Sequence, residues 1–569
     1  MKETILKWAL KNAVDHEGKA QLGAVIPKVI GEHPELKEKV KEIAKEAALA
    51  VKDVNKLSFD EQKAKLQKIA PELLEVKKHE ERHELPELPG AEPGKVVMLF
   101  PPEPSKYPTI GHAKASLLNY LCSQKYKGKF LIRFEDTNAN KIKKEYYDAI
   151  LHDLAWLGEK WDMVDYESDH VDKFYNYAEK LIKKDNAYMC NCDPETIHKL
   201  RGEGKVCRCR NKSTEENLKL WKQMLDNKFK EGEYSLRAKI DMKHKNSTMR
   251  DPTILRMLIG THPRVGDKYF VWPTYDFATA VMDDIEGTTH RIRSKEFEMR
   301  GELQKWIQQE LGIKSPFVIE FARFNLEGVP SSGRVIREHL ASGNLIGWDD
   351  PRLPTLIALR KRGFLPEAIK NFVINTGITK SESTVSWSMI ESENRKLLDP
   401  LTKRYFFVPN PIKITVKDAP ELDVELKYHP EKDMGSRPIK THGVFMIPQD
   451  DADNMKKGET FRLKDLYNVK ITKKTKSEVV GEYAGKELME GTKKIQWTTE
   501  ENTPVEVMIA SIPFDEKGNY IKDSLKTVKG VAEPSAVNIH TNEVIQFERF
   551  GFCRLDSKEK VLKFIFTHK

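Results

Sequence analysis

Several things are missing from this chain of 569 residues, and each absence removes a class of function. No apolar run approaches the ~18 residues that a membrane-spanning helix needs. The N-terminus opens Met1-Lys2-Glu3 into a charged amphipathic pattern, without the apolar core and small-residue cleavage site of a secretory leader. A cytoplasmic protein is expected. Cysteine is scarce, six residues in all, and four of them fall between Cys190 and Cys209, which is no pattern for a disulfide framework. There is no Gly-x-x-x-x-Gly-Lys-Ser/Thr string and no Gly-x-Gly-x-x-Gly, so two common phosphate-binding loops are excluded. No internal repeat is found, and no low-complexity segment beyond short charge runs. One His-Glu-x-x-His string, His79 to His83, fits a zinc-protease pattern. It sits in a charge run just before Pro86 with no apolar face to bury a metal, and is set aside.

What is present reads as a globular, multidomain protein. The composition is 39% hydrophobic and 32% charged, and the formal net charge is +9. That excess suits a polyanionic partner and suits a solvated lysine-rich surface equally well. The length implies about three to five domains. Leu36, Val40, Ile43, Ala47 and Val51 recur at helical spacing, and Ser58 followed by Glu61 is a capping-box pattern. Pro86, Pro89, Gly90, Pro93 and Gly94 then break the helical texture. After them come an apolar strand at 95–100, a turn, a helix from about Gly111 and a second apolar strand at 130–134, the unit of a parallel sheet. Residues 336–396 are helical, with Pro366 suited to a first turn and Gly377 to a C-terminal cap. From Arg404 onward the strands shorten: Ile412, Ile414 and Val416 alternate with polar residues, and an all-β region is expected.

The string FPPEPSKYPTIGHAK, 100–114, lies where a strand ends and a helix begins. A helix N-terminus offers free N–H groups and a favourable dipole to a phosphate. Gly111 lets the backbone approach a ligand, and His112 can donate to a phosphate oxygen. A proline-rich loop with a helix-capping histidine explains the same residues.

This turn resembles the signature of the class I aminoacyl-tRNA synthetases in its glutamyl and glutaminyl form. RFEDTN (133–138), LRAKIDM (236–242), MRDP (249–252), PTYDFA (273–278), GWDDPRLPT (347–355) and QFERFG (546–551) resemble the same subclass, in the same order. The helical N-terminus resembles archaeal-type glutamyl-tRNA synthetases, so the resemblance runs nearly the whole length. It implies a multidomain α/β fold. An N-terminal helical domain (1–90) would precede a Rossmann-like catalytic core in two halves (91–169 and 269–335). An acceptor-stem-binding domain with the cysteines (170–268) would be inserted between them. A helical connecting domain (336–400) and two anticodon-binding β-barrels (401–569) would follow. It also implies a ligase that activates glutamate with ATP and Mg²⁺ and loads it onto tRNA(Glu), with tRNA(Gln) a further possible substrate, acting as a monomer.

The resemblance assigns roles residue by residue. Pro102, Glu103, Ile110, Gly111 and His112 would meet ATP, with Ser331, Ser332 and Arg334 from a loop at 328–334. Thr109, His112 and Arg334 would serve catalysis. Glu135 would meet the α-amino group, Tyr275 the substrate, and Arg293 the side-chain carboxylate, where glutaminyl enzymes have a small uncharged residue. A structural ion pair is the other reading of Arg293. Three positions depart from the pattern: Thr109 replaces the first histidine of the signature, Leu99 replaces an arginine that helps hold the substrate, and the loop's usual lysine is missing, with Ser331, Ser332 and Gly333 at its centre. Arg334, Lys106 and Lys114 are candidate replacements. Two alternatives therefore stay open, a glutaminyl-tRNA synthetase and a tRNA-binding relative without catalysis.

Cys190, Cys192, Cys207 and Cys209 form two close pairs, fourteen residues apart, able to supply a tetrahedral structural Zn²⁺ site, although C-x-x-C is the commoner spacing and four free cysteines are the alternative. Gln546 and Arg549 lie among Phe547, Phe550 and Phe552, a mixture suited to unstacked RNA bases as well as to a β core strand with polar edges. They match anticodon-reading positions of the family, and Arg404 is a third candidate.

Overall fold

The structure is a computed structural model that describes residues 2–15, 18–33, 40–73, 85–329, 333–379, 383–475, 477–515 and 517–569. Leu36, Ser331, Ser332 and the His79–His83 string lie outside the described residues. Two compact units are present, Met1–Arg82 and His83–Lys569.

The first unit is helical. Helices Lys2–Asp15, Leu22–Glu32, Val40–Val54 and Phe59–Ile69 enclose Ile5, Leu10, Val25, Ile43 and Leu66. Ile43 and Ala47 are fully buried at the spacing the sequence pattern required. Ser58 closes its capping box with Glu61 at both ends. Gln62, fully buried, donates to the carbonyls of Gly18, Val54 and Leu57, so one amide ties three chain turns together.

In the second unit the strand Val97–Phe100 pairs in parallel with Lys129–Phe134, and that strand with Met163–Tyr166. A second parallel pair, His290–Ser294 with Phe317–Phe321, lies beside the first strand. Thr289 N donates to Val97 O at 3.1 Å, and Val97 N donates to Thr289 Oγ1 at 2.8 Å. Successive strands therefore run outward from Val97–Phe100 in both directions. Such a reversal point opens a crevice at the carboxyl ends of the strands. The helix Ile110–Lys125 packs Ala113, Leu117 and Leu118 into the core beneath it.

Between the two halves of this sheet the chain builds a separate four-stranded antiparallel sheet, in the order Ala187–Cys190, Ser235–Ala238, Thr253–Met257, Val271–Pro273. After it come helices Gly333–Ala341, Leu356–Arg362, Pro366–Thr376 and Trp387–Leu398, with Pro366 in the first turn of its helix and Gly377 capping the end. Among the described residues no helix is long and apolar enough to cross a membrane.

The C-terminal region forms two seven-stranded sheets. In one, the edge strands are Arg404–Tyr405 and Phe407–Pro409; in the other they are Lys494–Ile495 and Thr498–Thr499. Each sheet thus begins and ends on neighbouring pieces of one segment, and must curl round to do so. Pro411–Lys417 buries Ile412, Ile414 and Val416 on its inner face. A hairpin from the first of these sheets reaches the helical region. Arg352 Nη1 donates to Tyr520 Oη at 2.8 Å and to Ser524 Oγ at 3.0 Å. Gly328 lies so close to Ile512 that an added Cβ would meet its Cγ2 at 1.8 Å.

Candidate active site

The turn between Phe100 and Ile110 is held by the segment that leads into the helix Leu356–Arg362. Ile110 N donates to Pro354 O and Leu356 N to Pro108 O, both at 2.9 Å. The GWDDPRLPT segment therefore clamps the signature turn. Thr109 is the N-cap of the helix Ile110–Lys125, and its backbone N–H donates to His112 Nδ1 at 3.0 Å, with Thr109 Oγ1 2.9 Å from the same nitrogen. A backbone N–H can only donate, so Nδ1 accepts, and the neutral ring carries its proton on Nε2. Burial, reinforced by Lys106 and Arg323, pushes the His112 pKa down to about 3, which keeps the ring neutral. The capping role and the ligand-facing role are one geometry: the cap fixes the tautomer that leaves Nε2–H as a donor.

A cavity of about 440 Å³ opens at this point. Pro102, Glu103, Thr109, Ile110, Gly111 and His112 line it together with Glu135, Tyr275 and Arg293. Residues the sequence scatters over almost 200 positions thus share one space. Glu135 follows the second strand, accepts from Thr279 Oγ1 at 3.2 Å, and is pushed up to about 7 by burial, against the pull of Arg133 and Arg291. Tyr275 opens the helix Tyr275–Ile285 and packs against Phe297 in a tilted arrangement, with ring centroids 5.3 Å apart. Arg293 projects from the strand His290–Ser294 and is 9% exposed. It pairs with Glu320 at 3.2 Å and donates to Gln304 Oε1 at 2.8 Å and Phe297 O at 3.1 Å.

Not every candidate reaches this space. Arg334 is exposed, pairs with Glu338 at 2.8 Å one helical turn on, and is not among the lining residues. Lys106, Lys114 and Arg323 do line the cavity. Lys114 is 2% exposed, lies 5.4 and 5.3 Å from the rings of Phe321 and Phe324, and has no hydrogen bond or ion pair among the described residues. Burial lowers its pKa to about 8. Arg323 carries a 2.8 Å pair with Glu296 and was not singled out by the sequence. Neither was Arg291, also a lining residue and 4% exposed. Its only sequence signal is the Arg-x-Arg alternation on one face of a short strand.

The four clustered cysteines come together at the edge of the antiparallel sheet. All four sulfurs lie within 4.8 Å of one another, with Cys190–Cys207 at 3.9 Å and Cys192–Cys209 at 3.8 Å. Four thiolates about 2.3 Å from one Zn²⁺ would sit about 3.8 Å apart, so the residues fit a tetrahedral site. Arg237 Nη1 lies 3.7 Å from both Cys190 and Cys207, a cation placed against the thiolates.

In the curled sheets Arg404 and Gln546 are directly paired across neighbouring strands. Arg404 bonds Asp399 at 3.0 Å, and Gln546 Oε1 is buried with no partner. Arg549, with a φ of 63° in the left-handed region, spans to the other sheet's helix Gln449–Asp453 and grips Asp451 at 2.9 and 3.2 Å.

Comparison with known proteins agrees over the same regions. Residues 95–400 match the catalytic domain of "tRNA synthetases class I (E and Q)", and 402–485 and 494–556 match two anticodon-binding domains of that group. The glutamate–tRNA ligase of Pyrococcus abyssi is 42% identical over 99% of this chain and 99% of its own length. That of Nitrosopumilus maritimus is 42% identical over 100% and 99%, and that of Korarchaeum cryptofilum 40% over 100% and 99%. Matched from end to end at this identity, with the catalytic-domain match covering more than half its length, the chain belongs to the class I tRNA synthetases of the E and Q group.

Proposed function

We propose that this protein is a glutamate–tRNA ligase: it joins glutamate to ATP as glutamyl-adenylate, releasing pyrophosphate, and passes the glutamyl group to the 3′ end of tRNA(Glu). One observation carries the reading. A single cavity holds a helix N-terminus with a neutral histidine donor, a carboxylate at Glu135 and a buried arginine at Arg293.

ATP lies along Pro102–His112, and Mg²⁺ accompanies it to offset the phosphate charge. His112 donates from Nε2 to an α-phosphate oxygen, and the Ile110–Lys125 helix adds its N-terminal dipole. Lys106, Lys114 and Arg323 supply cations on the face where the loop lysine of the family is missing, and Arg334 acts only if that loop closes. Ser331 and Ser332 belong to the same loop. Glu135 takes the substrate ammonium, Tyr275 flanks it, and Arg293 meets the side-chain carboxylate. Catalysis is then mostly placement and electrostatic stabilisation. We assign the domains at the boundaries the resemblance implies, and place Arg404, Gln546 and Arg549 against anticodon bases.

The test is tRNA-dependent exchange of pyrophosphate into ATP with glutamate or glutamine, followed by aminoacylation of purified tRNA(Glu) and tRNA(Gln). Exchange with glutamate and charging of tRNA(Glu) are expected. Preference for glutamine would make it a glutaminyl enzyme, and no exchange would leave a tRNA-binding protein. Charging of tRNA(Gln) decides whether a second tRNA is served.

Cys190, Cys192, Cys207 and Cys209 hold structural Zn²⁺, which four sulfur ligands leave without an open position. One zinc per chain is expected on metal analysis, and Cys207→Ser should lose it and lower the melting temperature. Zinc-free protein with four titratable thiols would remove the assignment.

A further inference from the structure

We infer that Arg291 is a second substrate-binding arginine, acting with Arg293 on the side-chain carboxylate of the amino acid. The inference rests on the glutamate reading above and adds a residue to it. The two arginines stand two positions apart on His290–Ser294, hence on one face of the strand. One acceptor holds them together: Gln304 Oε1 takes Arg291 Nη2 at 3.0 Å and Arg293 Nη1 at 2.8 Å. Gln304 in turn donates to Asp276 at 3.2 Å, which fixes its orientation.

Their remaining capacity differs. A guanidinium has five N–H groups. Arg293 spends four of them, on Glu320 twice, Gln304 and Phe297 O. Arg291 spends two, on Gln304 and on Asp283 at 3.3 Å. Its Nε is buried without a partner. Its counter-ion is also shared, because Asp283 pairs with Arg133 at 3.2 Å. Of the two, Arg291 is the cation with more unspent donors and the less exclusive carboxylate.

Its location fits. Arg291 lines the same cavity as Glu135 and Tyr275. The pair also borders a second cavity of about 330 Å³, lined by both arginines and by Gln304, Lys305 and Glu320. Both arginines thus line two cavities, and hydrogen bonds to Gln304, Asp283, Glu320 and Phe297 O hold them. Leu99 adds a reason for a second cation here. The bonds between Thr289 and Val97 put the two strands side by side, and two residues further along each come Arg291 and Leu99, both lining the cavity. Leu99 is apolar and 1% exposed, so on this side of the cavity the charge comes from Arg291.

The experiment compares wild type, Arg291→Gln and Arg291→Lys in tRNA-dependent pyrophosphate exchange, with KM measured for glutamate, glutamine and ATP. Arg291→Gln should raise the glutamate KM by about tenfold or more, reduce the preference for glutamate over glutamine by a similar factor, and leave the ATP KM within about twofold. Arg291→Lys keeps the charge but not the fork, and should fall between the two. A melting curve reports whether each variant folds. If Arg291→Gln does not fold, Arg291→Lys decides: a raised glutamate KM with an unaltered ATP KM supports the inference. A glutamate KM and selectivity equal to wild type in a folded variant overturns it while glutamate ligation stands. A wild type that does not use glutamate overturns the functional reading instead.

Discussion

The cavity at the Phe100–Ile110 turn and the C-terminal curled sheets both carry cations, but they keep them differently. In the cavity, Lys114 has no polar partner among the described residues and Arg291 has donors left over. In the sheets, Arg549 is already gripped through both terminal nitrogens by Asp451, and Arg404 by Asp399. A cation held without an exclusive counter-ion is costly in the empty protein and gains most when an anion arrives. A cation already paired must exchange one partner for another, so its net gain is small. Ligand-dependent effects should therefore be large at Lys114 and Arg291 and modest at Arg404 and Arg549.

The largest effect is expected at His112. The Thr109 cap leaves Nε2–H as its outward donor. Replacing His112 with alanine should lower kcat for pyrophosphate exchange by about 10²–10³, or ~2.7–4 kcal/mol of transition-state stabilisation, the range for losing one preorganised donor. The same substitution removes the reciprocal cap, worth about 1 kcal/mol of stability. A melting temperature lowered with kcat unchanged would reduce His112 to a capping residue.

Glu135 offers a pH-dependent test of the same region. Burial raises its pKa to about 7, so below that pH the carboxyl is mostly neutral and cannot pair with an ammonium. In the proposed role, Glu135 binds the substrate ammonium in its ionised form. The KM for glutamate should therefore fall as pH rises from 6 to 8, by about tenfold for a single group titrating near the middle of that range, and then level off. Glu135→Gln should raise the KM and flatten the profile. A wild-type KM independent of pH would move the ammonium site elsewhere.

These contrasts also mark how far the sequence reaches. The strand-to-helix turn, the capping box at Ser58, the alternation at Ile412–Val416 and the cysteine pairs were all legible, because each depends on periodicity or on neighbours a few residues away. Which charges are free was not legible. Arg293 meets Glu320 and Gln304 from other elements, and Arg549 meets Asp451 from the other sheet. Alternation shows that Arg291 and Arg293 share a face; only the folded chain shows that one is nearly saturated and the other is not. Arg334 shows the same limit from the other side. Sequence proximity to the loop made it a candidate, yet helical spacing carries its side chain to Glu338.

The smallest effect is expected at Arg549, and it tests the comparison from its weaker side. Arg549 lies 45% exposed and bound to Asp451, which Lys493 also meets at 3.0 Å. Binding an anticodon would require Arg549 to leave or share that carboxylate. Arg549→Ala should therefore raise the KM for tRNA only a few-fold, roughly 0.5–1 kcal/mol, with the ATP KM unaltered. The slope of log KM against log salt should fall by about 0.7–0.9 if the arginine meets phosphate, and by less if it reads a base edge. Asp451→Asn separates the two causes of that small effect. With its grip weakened, Arg549 is released for RNA, and the tRNA KM should drop below wild type. If Asp451→Asn instead raises the tRNA KM as Arg549→Ala does, the pair works as a brace that shapes the RNA-binding surface. The contrast between spent and unspent cations would then not extend to the sheets.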